Sequence, residues 1–186
     1  MEQKSYKVDY RLEIVNELLK GPNHVRGIAK RLATNHMNIS RKVKELSREN
    51  VVDYREEGKN KTYFLKKGAE ARTYVFMAEN YRLVSTLGKY PELRRITERI
   101  QKDGRIKLAV LFGSYAKGLA KPGSDIDIYV ETGNREIKRD LGLAHTKLSV
   151  KIGKFDPDSL VAKEITKNHV IIKGAEEFYE KIRFFE

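Results

Sequence analysis

The run Ile106 to Phe112 is apolar except for Lys107 and stops at the pair Gly113-Ser114. Such a run predicts a strand buried on both faces, and the pair predicts a tight turn beside a ligand. Glycine lets the backbone approach phosphate oxygens, and a serine opening the next helix offers a hydroxyl and amide donors to an anion. Pro122-Gly123-Ser124 marks a second turn, after which Asp125, Asp127, Tyr129 and Glu131 alternate with Ile126, Ile128 and Val130. A period of two puts Asp125 and Asp127 on one face of a strand.

Two carboxylates about 7 Å apart along a strand repel each other unless a cation lies between them. Hard oxygen ligands facing a phosphate-cradling turn suit Mg holding a nucleoside triphosphate. An isolated Asp-X-Asp can equally be one turn cap and one solvated strand residue; the Gly-Ser turn upstream favours the metal. With its ten-residue spacer, the pattern Gly113-Ser114 to Asp125-Ile126-Asp127 resembles the nucleotidyltransferase superfamily that includes DNA polymerase beta, and within it the minimal nucleotidyltransferases of prokaryotes. The resemblance covers roughly the C-terminal half. It implies that Gly113 and Ser114 hold the triphosphate, that Asp125 and Asp127 bind metal and act catalytically, and that a third carboxylate on a later strand completes the site.

The next strand expected is Lys147 to Gly153, with Leu148, Val150 and Ile152 on its buried face. Lys151 falls where the third carboxylate is expected. An ammonium there would neutralise Asp125 and Asp127 as a metal would, so an ion pair from Lys151 to one of them is the expectation. Glu131 and Asp156 are substitutes, although Asp156 before Pro157 reads better as a helix N-cap.

The N-terminal half reads as a separate unit. Asp9 is placed to cap a helix with Leu12, Val15, Leu18 and Leu19 inward, stopped by Gly21-Pro22. A second helix from Asn23 buries Val25, Ile28, Ala29 and Leu32, and a third, from about His36 to Arg48, buries Ile39, Val43 and Leu46. The other face of the third helix carries Asn38, Ser40, Arg41, Lys42 and Lys44, the pattern of a helix-turn-helix. Val51 to Arg55 and Lys61 to Leu65 then flank Glu56-Glu57-Gly58-Lys59-Asn60, a hairpin with the chemistry of a turn. Over roughly residues 5 to 67 this pattern resembles the winged helix-turn-helix DNA-binding domains of prokaryotic transcriptional regulators. The resemblance implies a third helix in the major groove and Arg55, Lys59 and Lys61 of the wing at phosphates. A merely solvated basic face on a protein-docking domain is the alternative.

A helical stretch from about Ala69 to Leu87 follows, either a dimerisation helix or a spacer, and Gly88-Lys89-Tyr90-Pro91 breaks it. The expected division is therefore a DNA-binding domain at 1–67, a linker or dimerisation helix at 68–88, and a nucleotidyltransferase-like domain at 89–186. In the latter, helices are expected over 92–103, 135–144 and 157–167, a short strand or helix extension at 169–172, and a last helix carrying Phe178, Tyr179 and Ile182. The fold class expected is α/β (α+β), with a small mixed sheet flanked by helices.

Charge decides the class of partner. Residues 1–88 hold 18 basic and 11 acidic side chains and the remainder 20 and 15, so both halves attract polyanions. With no signal peptide or long apolar span, the expectations are double-stranded DNA, no membrane and a cytoplasmic location. There is no cysteine, which excludes disulfides and thiolate metal sites, and the four histidines are scattered. Charged residues at 34% without Cys or Trp fit a thermophile. Two functions follow: a DNA-binding regulator, expected as a homodimer, whose second domain senses nucleotide or mediates assembly; or a Mg-dependent enzyme that transfers a nucleotide to a protein or RNA hydroxyl, for example an antitoxin acting on a toxin partner.

Overall fold

The structure is a computed structural model that describes residues 8–186 except Lys59 and Ala144. The wing residue Lys59 named above thus lies outside the described residues. The chain divides into two compact units, one reaching to Tyr81 and including Phe185–Glu186, the other Arg82–Phe184. Helices and two small sheets are mixed in the α+β manner expected. No helix among the described residues is long and apolar enough to cross a membrane.

The first unit opens with α1 (Tyr10–Leu19), which Asp9 caps by accepting from the Arg11 N–H at 2.9 Å. The expectation of a helix from Asn23 needs correction. Asn23–His24 form a short strand, β1, and α2 spans Val25–Arg31. Backbone pairing explains the difference, because Asn23 and His24 add to the wing opposite Tyr63 and Thr62. Helix α3 spans His36–Arg48, and its cap Asn35 accepts from Met37 N–H. Ile39, Val43 and Leu46 are fully buried, along with Ile14 and Val15 of α1 and Ile28 of α2. Strands β2 (Val52–Glu57) and β3 (Asn60–Leu65) form the antiparallel wing, with Gly58 at its tip in a left-handed conformation, φ +62°. Helix α4 (Ala69–Lys89) seals this unit with Ala71, Val75 and Ala78, and Arg11 pairs with Glu49 at 3.1 Å beside the Tyr74 hydroxyl.

In the second unit, Pro91–Leu93 form a 3-10 turn before α5 (Arg94–Lys102), because Pro91 pre-sets the entry. Strand β4 is Ala109–Phe112, shorter than the apolar run, and leads directly into the one-turn helix α6 (Gly113–Ala116). Then follow β5 (Ile126–Glu131), α7 (Arg135–Gly142), β6 (Leu148–Gly153), α8 (Leu160–Lys167), β7 (Val170–Lys173) and α9 (Ala175–Lys181). Helix α8 starts at Leu160 rather than Pro157. Ser159 is its cap, accepting from Ala162 N–H at 3.2 Å, while Asp156 closes a preceding turn by accepting from Asp158 N–H at 3.0 Å. The sheet order is β6-β5-β4-β7, with β5 and β6 parallel and the other pairs antiparallel. One face buries Ile126, Ile128 and Val130 with Ile96 and Ile100 of α5 and Ile137 and Leu141 of α7. On the other, Tyr129 stacks edge-on with Phe155, and Phe155 with Phe178, at ring separations of 5.8 Å. Burial pushes the Tyr129 hydroxyl up to about 12, with Glu131 adding to the shift, and that hydroxyl donates to the Gly153 carbonyl at 2.8 Å.

An ion cluster ties α5 to α7. The Arg105 guanidinium contacts Asp103 at 2.7 Å and Asp140 at 3.3 Å. Hydrogen bonds from Arg105 lower Asp103 from 3.8 to about 2. A carboxylate with a depressed folded value contributes stability above its unfolded value, and loses it as pH falls through the folded one. Asp103→Asn is therefore expected to cost about 1 kcal/mol at pH 7, limited by the half-exposed arginine, with the deficit shrinking between pH 4 and pH 2. Urea unfolding of both proteins across that range is the check; a deficit independent of pH would contradict it.

Candidate nucleotide and nucleic-acid sites

Strand β4 delivers Gly113 to the edge of β5. Phe112 pairs directly with Asp127, so the turn that follows Phe112 rests beside that carboxylate. Gly113 has φ +72°, and a Cβ placed on it would stand 2.5 Å from Asp127 Oδ2. Glycine is required here twice, for the left-handed backbone and for the close approach. Ser114, the second residue of α6, is half-buried, and its carbonyl accepts from Leu119 N–H at 2.9 Å. Asp127 is half-buried in β5, while Asp125 precedes the strand and is exposed. Among the described residues neither carboxylate takes part in a hydrogen bond or an ion pair. The structure thus brings Gly113, Ser114 and Asp127 together, with Asp125 two residues before Asp127.

The ion pair expected of Lys151 is not formed. Parallel pairing sets Ser149 beside Asp127 and Lys151 beside Tyr129, one step further along the sheet. The exposed Lys151 ammonium lies 5.2 Å from the centre of the Phe112 ring, a cation–π contact. Ser149, which the sequence reading passed over, is thus the cross-strand neighbour of Asp127. Lys89, expected in the break after the long helix, is instead the last residue of α4; its ammonium donates to the Gly118 carbonyl at 2.8 Å and anchors the loop after α6. Glu131 is committed elsewhere: it accepts from Phe155 N–H at 3.1 Å and pairs with Lys181 at 3.1 Å. No three His, Asp or Glu side chains among the described residues converge as a metal cluster.

Residues 92–181 match the family model described as Nucleotidyltransferase domain. That span holds the Gly-Ser turn, the aspartate pair and the whole four-stranded sheet of the nucleotidyltransferase-like unit. Comparison with curated proteins gave no match. Solved structures similar to the chain include the transcriptional repressor BigR from Xylella fastidiosa, at 21% identity and TM-score 0.34 over 36% of this chain and 66% of that one. Another is the homodimeric winged helix-turn-helix DNA-binding domain of a Mycobacterium bovis protein, at 22% identity and TM-score 0.33 over 41% of this chain and 68% of that one. A third is a toxin-antitoxin with AMP-PNP, at 20% identity and TM-score 0.34 over 57% of this chain and 86% of that one.

In the first unit the outward line of α3 is Met37, Arg41, Lys44 and Arg48, each separated from the next by three or four residues. All four are exposed, Met37 at 65%. Asn38 and Ser40 flank this line half-buried, and Asn38 accepts from Arg41 at 3.3 Å. Lys42 sits nearer the core and pairs with Glu45 at 2.7 Å, which holds that carboxyl below its ordinary range. Met37 and Arg48 were missing from the sequence-derived set; the helical period locates them once the buried face is fixed. On the wing, Arg55 contacts Glu57 at 2.6 Å, and with Thr62 it lowers that carboxyl. Lys61 lies 3.8 Å above the Tyr54 ring, and because Arg55 opposes Thr62 and Lys61 opposes Glu56, Arg55 and Lys61 project from opposite faces of the ribbon.

Proposed function

We propose that the protein is a DNA-binding regulator that grips duplex DNA through α3 and the wing, and whose nucleotidyltransferase-like unit binds a metal-bound nucleoside triphosphate without efficient transfer. The observation that carries the DNA reading is the exposed line of Met37, Arg41, Lys44 and Arg48 on a helix followed at once by a hairpin. Cations in that line suit phosphates, and the apolar Met37 at the N-terminal end suits base edges. Arg55, Lys59 and Lys61 supply further phosphate contacts in this reading, and Asn38 and Ser40 stand at the flanks of the groove-facing side. The domain division at 1–67, 68–88 and 89–186 belongs to the same proposal. So does a homodimer through α4, whose exposed Met77 and Val84 recur one heptad apart. Two copies would present two recognition helices to one site in a cytoplasmic setting.

Mg fits the second unit, because both carboxylates lack protein partners among the described residues and Asp127 Oδ2 lies close against the Gly113 turn, where an added Cβ would stand 2.5 Å from it. Asp125 and Asp127 would hold it, and it would offset the charge of the triphosphate that Gly113 and Ser114 orient. Strand β6 brings Ser149 beside Asp127 and Lys151 beside Tyr129, and neither supplies a carboxylate to activate an acceptor hydroxyl, which is why binding is preferred to turnover. The second reading, an active transferase modifying a protein or RNA hydroxyl, such as an antitoxin with a toxin partner, is favoured by one observation: Lys151 contacts Phe112 and leaves the aspartates un-neutralised. Transfer of label from α-labelled triphosphates to a co-purified partner would support that reading over the first.

Arg41→Ala/Lys44→Ala is expected to weaken duplex DNA binding and to make the salt dependence shallower by about 2 in log–log slope, one for each lost phosphate contact. Lys42→Ala is expected to do less, because its ammonium is held by Glu45. Fluorescence anisotropy over a salt series is the check, and an unchanged slope in the double variant would remove α3 from the interface.

A further inference from the structure

A cationic cleft opens in the nucleotidyltransferase-like unit, between α8 and the end of α9. It is an open cleft of about 730 Å³, within the size range of small-molecule sites. Pro157 and Ile182 give it an apolar wall, and Lys163, Lys167, Lys181 and Arg183 give it cations against the single carboxylate of Asp158. Lys181 is already committed, to Glu131 at 3.1 Å and Glu177 at 3.0 Å, and serves to fix the wall. Lys163 and Lys167 are different. They stand one turn apart on α8, both exposed, and neither has an ion pair or hydrogen bond from its side chain among the described residues. Like charges at that spacing repel and destabilise a helix unless something lies between them.

At its α9 wall the cleft is remote from the Gly-Ser turn, while α8 also reaches the end of α6 through Glu164, which pairs with Lys117 at 3.2 Å. Its wall residue Lys181 is bound to Glu131, four residues beyond Asp127 in β5, which is about 13 Å along the strand. We propose that this cleft binds a nucleotide phosphate, with the phosphate bridging Lys163 and Lys167 and the base or ribose against Pro157 and Ile182. The two ammonium groups supply charge-assisted donors, and the apolar wall accepts a planar or ring-shaped group. No divalent ion is needed, because the cleft offers cations where the Asp125–Asp127 site offers carboxylates. The phosphate can come from a free nucleotide or from the end of a nucleic-acid strand, since both present the same chemistry. This inference stands apart from the reading of the Asp125–Asp127 site.

The test is calorimetric titration of the full chain in EDTA with ADP, and separately with a short 5′-phosphorylated single-stranded oligonucleotide. Three variants are compared with the parent: Lys163→Ala/Lys167→Ala, Asp125→Ala/Asp127→Ala, and Lys138→Ala/Arg139→Ala, which removes equal charge from exposed positions on α7. The expected result is EDTA-resistant binding that falls about tenfold or more in the α8 variant and persists in the other two. Binding confined to ADP assigns a free nucleotide, and binding confined to the oligonucleotide assigns a strand end, each supporting the phosphate site. Failure of both probes to bind, or an equal loss in the α8 and α7 variants, would overturn it.

Discussion

Gly174→Ala is expected to destabilise the second unit by roughly 3–5 kcal/mol, lowering its melting temperature by roughly 15 °C. Gly174 caps α9 with φ +82°, a left-handed conformation that alanine adopts only with strain. A Cβ there would also overlap the Lys107 carbonyl oxygen and stand 3.2 Å from Leu108 Cα. Both obstacles are backbone of the segment entering β4, so neither can swing aside. Phe178, whose N–H donates to the Gly174 carbonyl at 3.0 Å, is fully buried and would be displaced with the cap. Gly142→Ala is the matched control, since a Cβ at that helical position meets nothing within 4 Å. It is expected to be neutral or stabilising by about 0.5 kcal/mol. Thermal unfolding of both variants by circular dichroism is the check, and equal melting temperatures would contradict the assignment of Gly174 as a packing glycine.

The second large effect is on ligand binding. Asp127→Ala and Gly113→Ala are each expected to reduce Mg-dependent nucleotide affinity by about 100-fold while leaving the protein folded. Asp127 would lose a metal-binding oxygen outright. At Gly113 the added methyl would meet the far end of the Asp127 side chain, which can rotate. Rotation relieves the clash and spares the fold, but it carries the carboxylate away from Asp125 and the turn. Gly123→Ala separates displacement from backbone strain: Gly123 has φ +99°, yet a Cβ there meets nothing within 4 Å, so binding is expected to survive. Equal losses in Gly113→Ala and Gly123→Ala would mean that loop strain, not the carboxylate, is what matters.

Where local chemistry dictates structure, the sequence was readable. Asp9 caps its helix as its type and position predict, and His36–Arg48 emerges with the inward Ile39, Val43 and Leu46 that the period requires. The alternation after Asp125 likewise predicts β5 and its inward Ile126, Ile128 and Val130. Register between strands is a different matter, because no local signal encodes it. The sequence shows Lys151 two places from Ser149, but only parallel pairing with β5 puts Ser149 beside Asp127 and turns the lysine to Phe112. Helix starts near proline also misled: Pro157 marks a turn, and the Ser159 hydroxyl three residues before Ala162 is the better cap. The cleft at α8 and α9 brings together residues separated by a strand, so spacing alone gives no hint of it. The glycines show the same division: Gly113 was legible as a turn, while the need for Gly174 arises from Lys107, far away in sequence.

The most direct measurement is a calorimetric titration of the parent and of Asp125→Ala/Asp127→Ala with each nucleoside triphosphate, with and without Mg. The expected result is binding by the parent that strengthens when Mg is added, and loss of that Mg-dependent part in the double variant. A parent that gains nothing from Mg with any triphosphate, or a double variant that keeps the full gain, would contradict a metal–nucleotide site at Gly113, Ser114, Asp125 and Asp127.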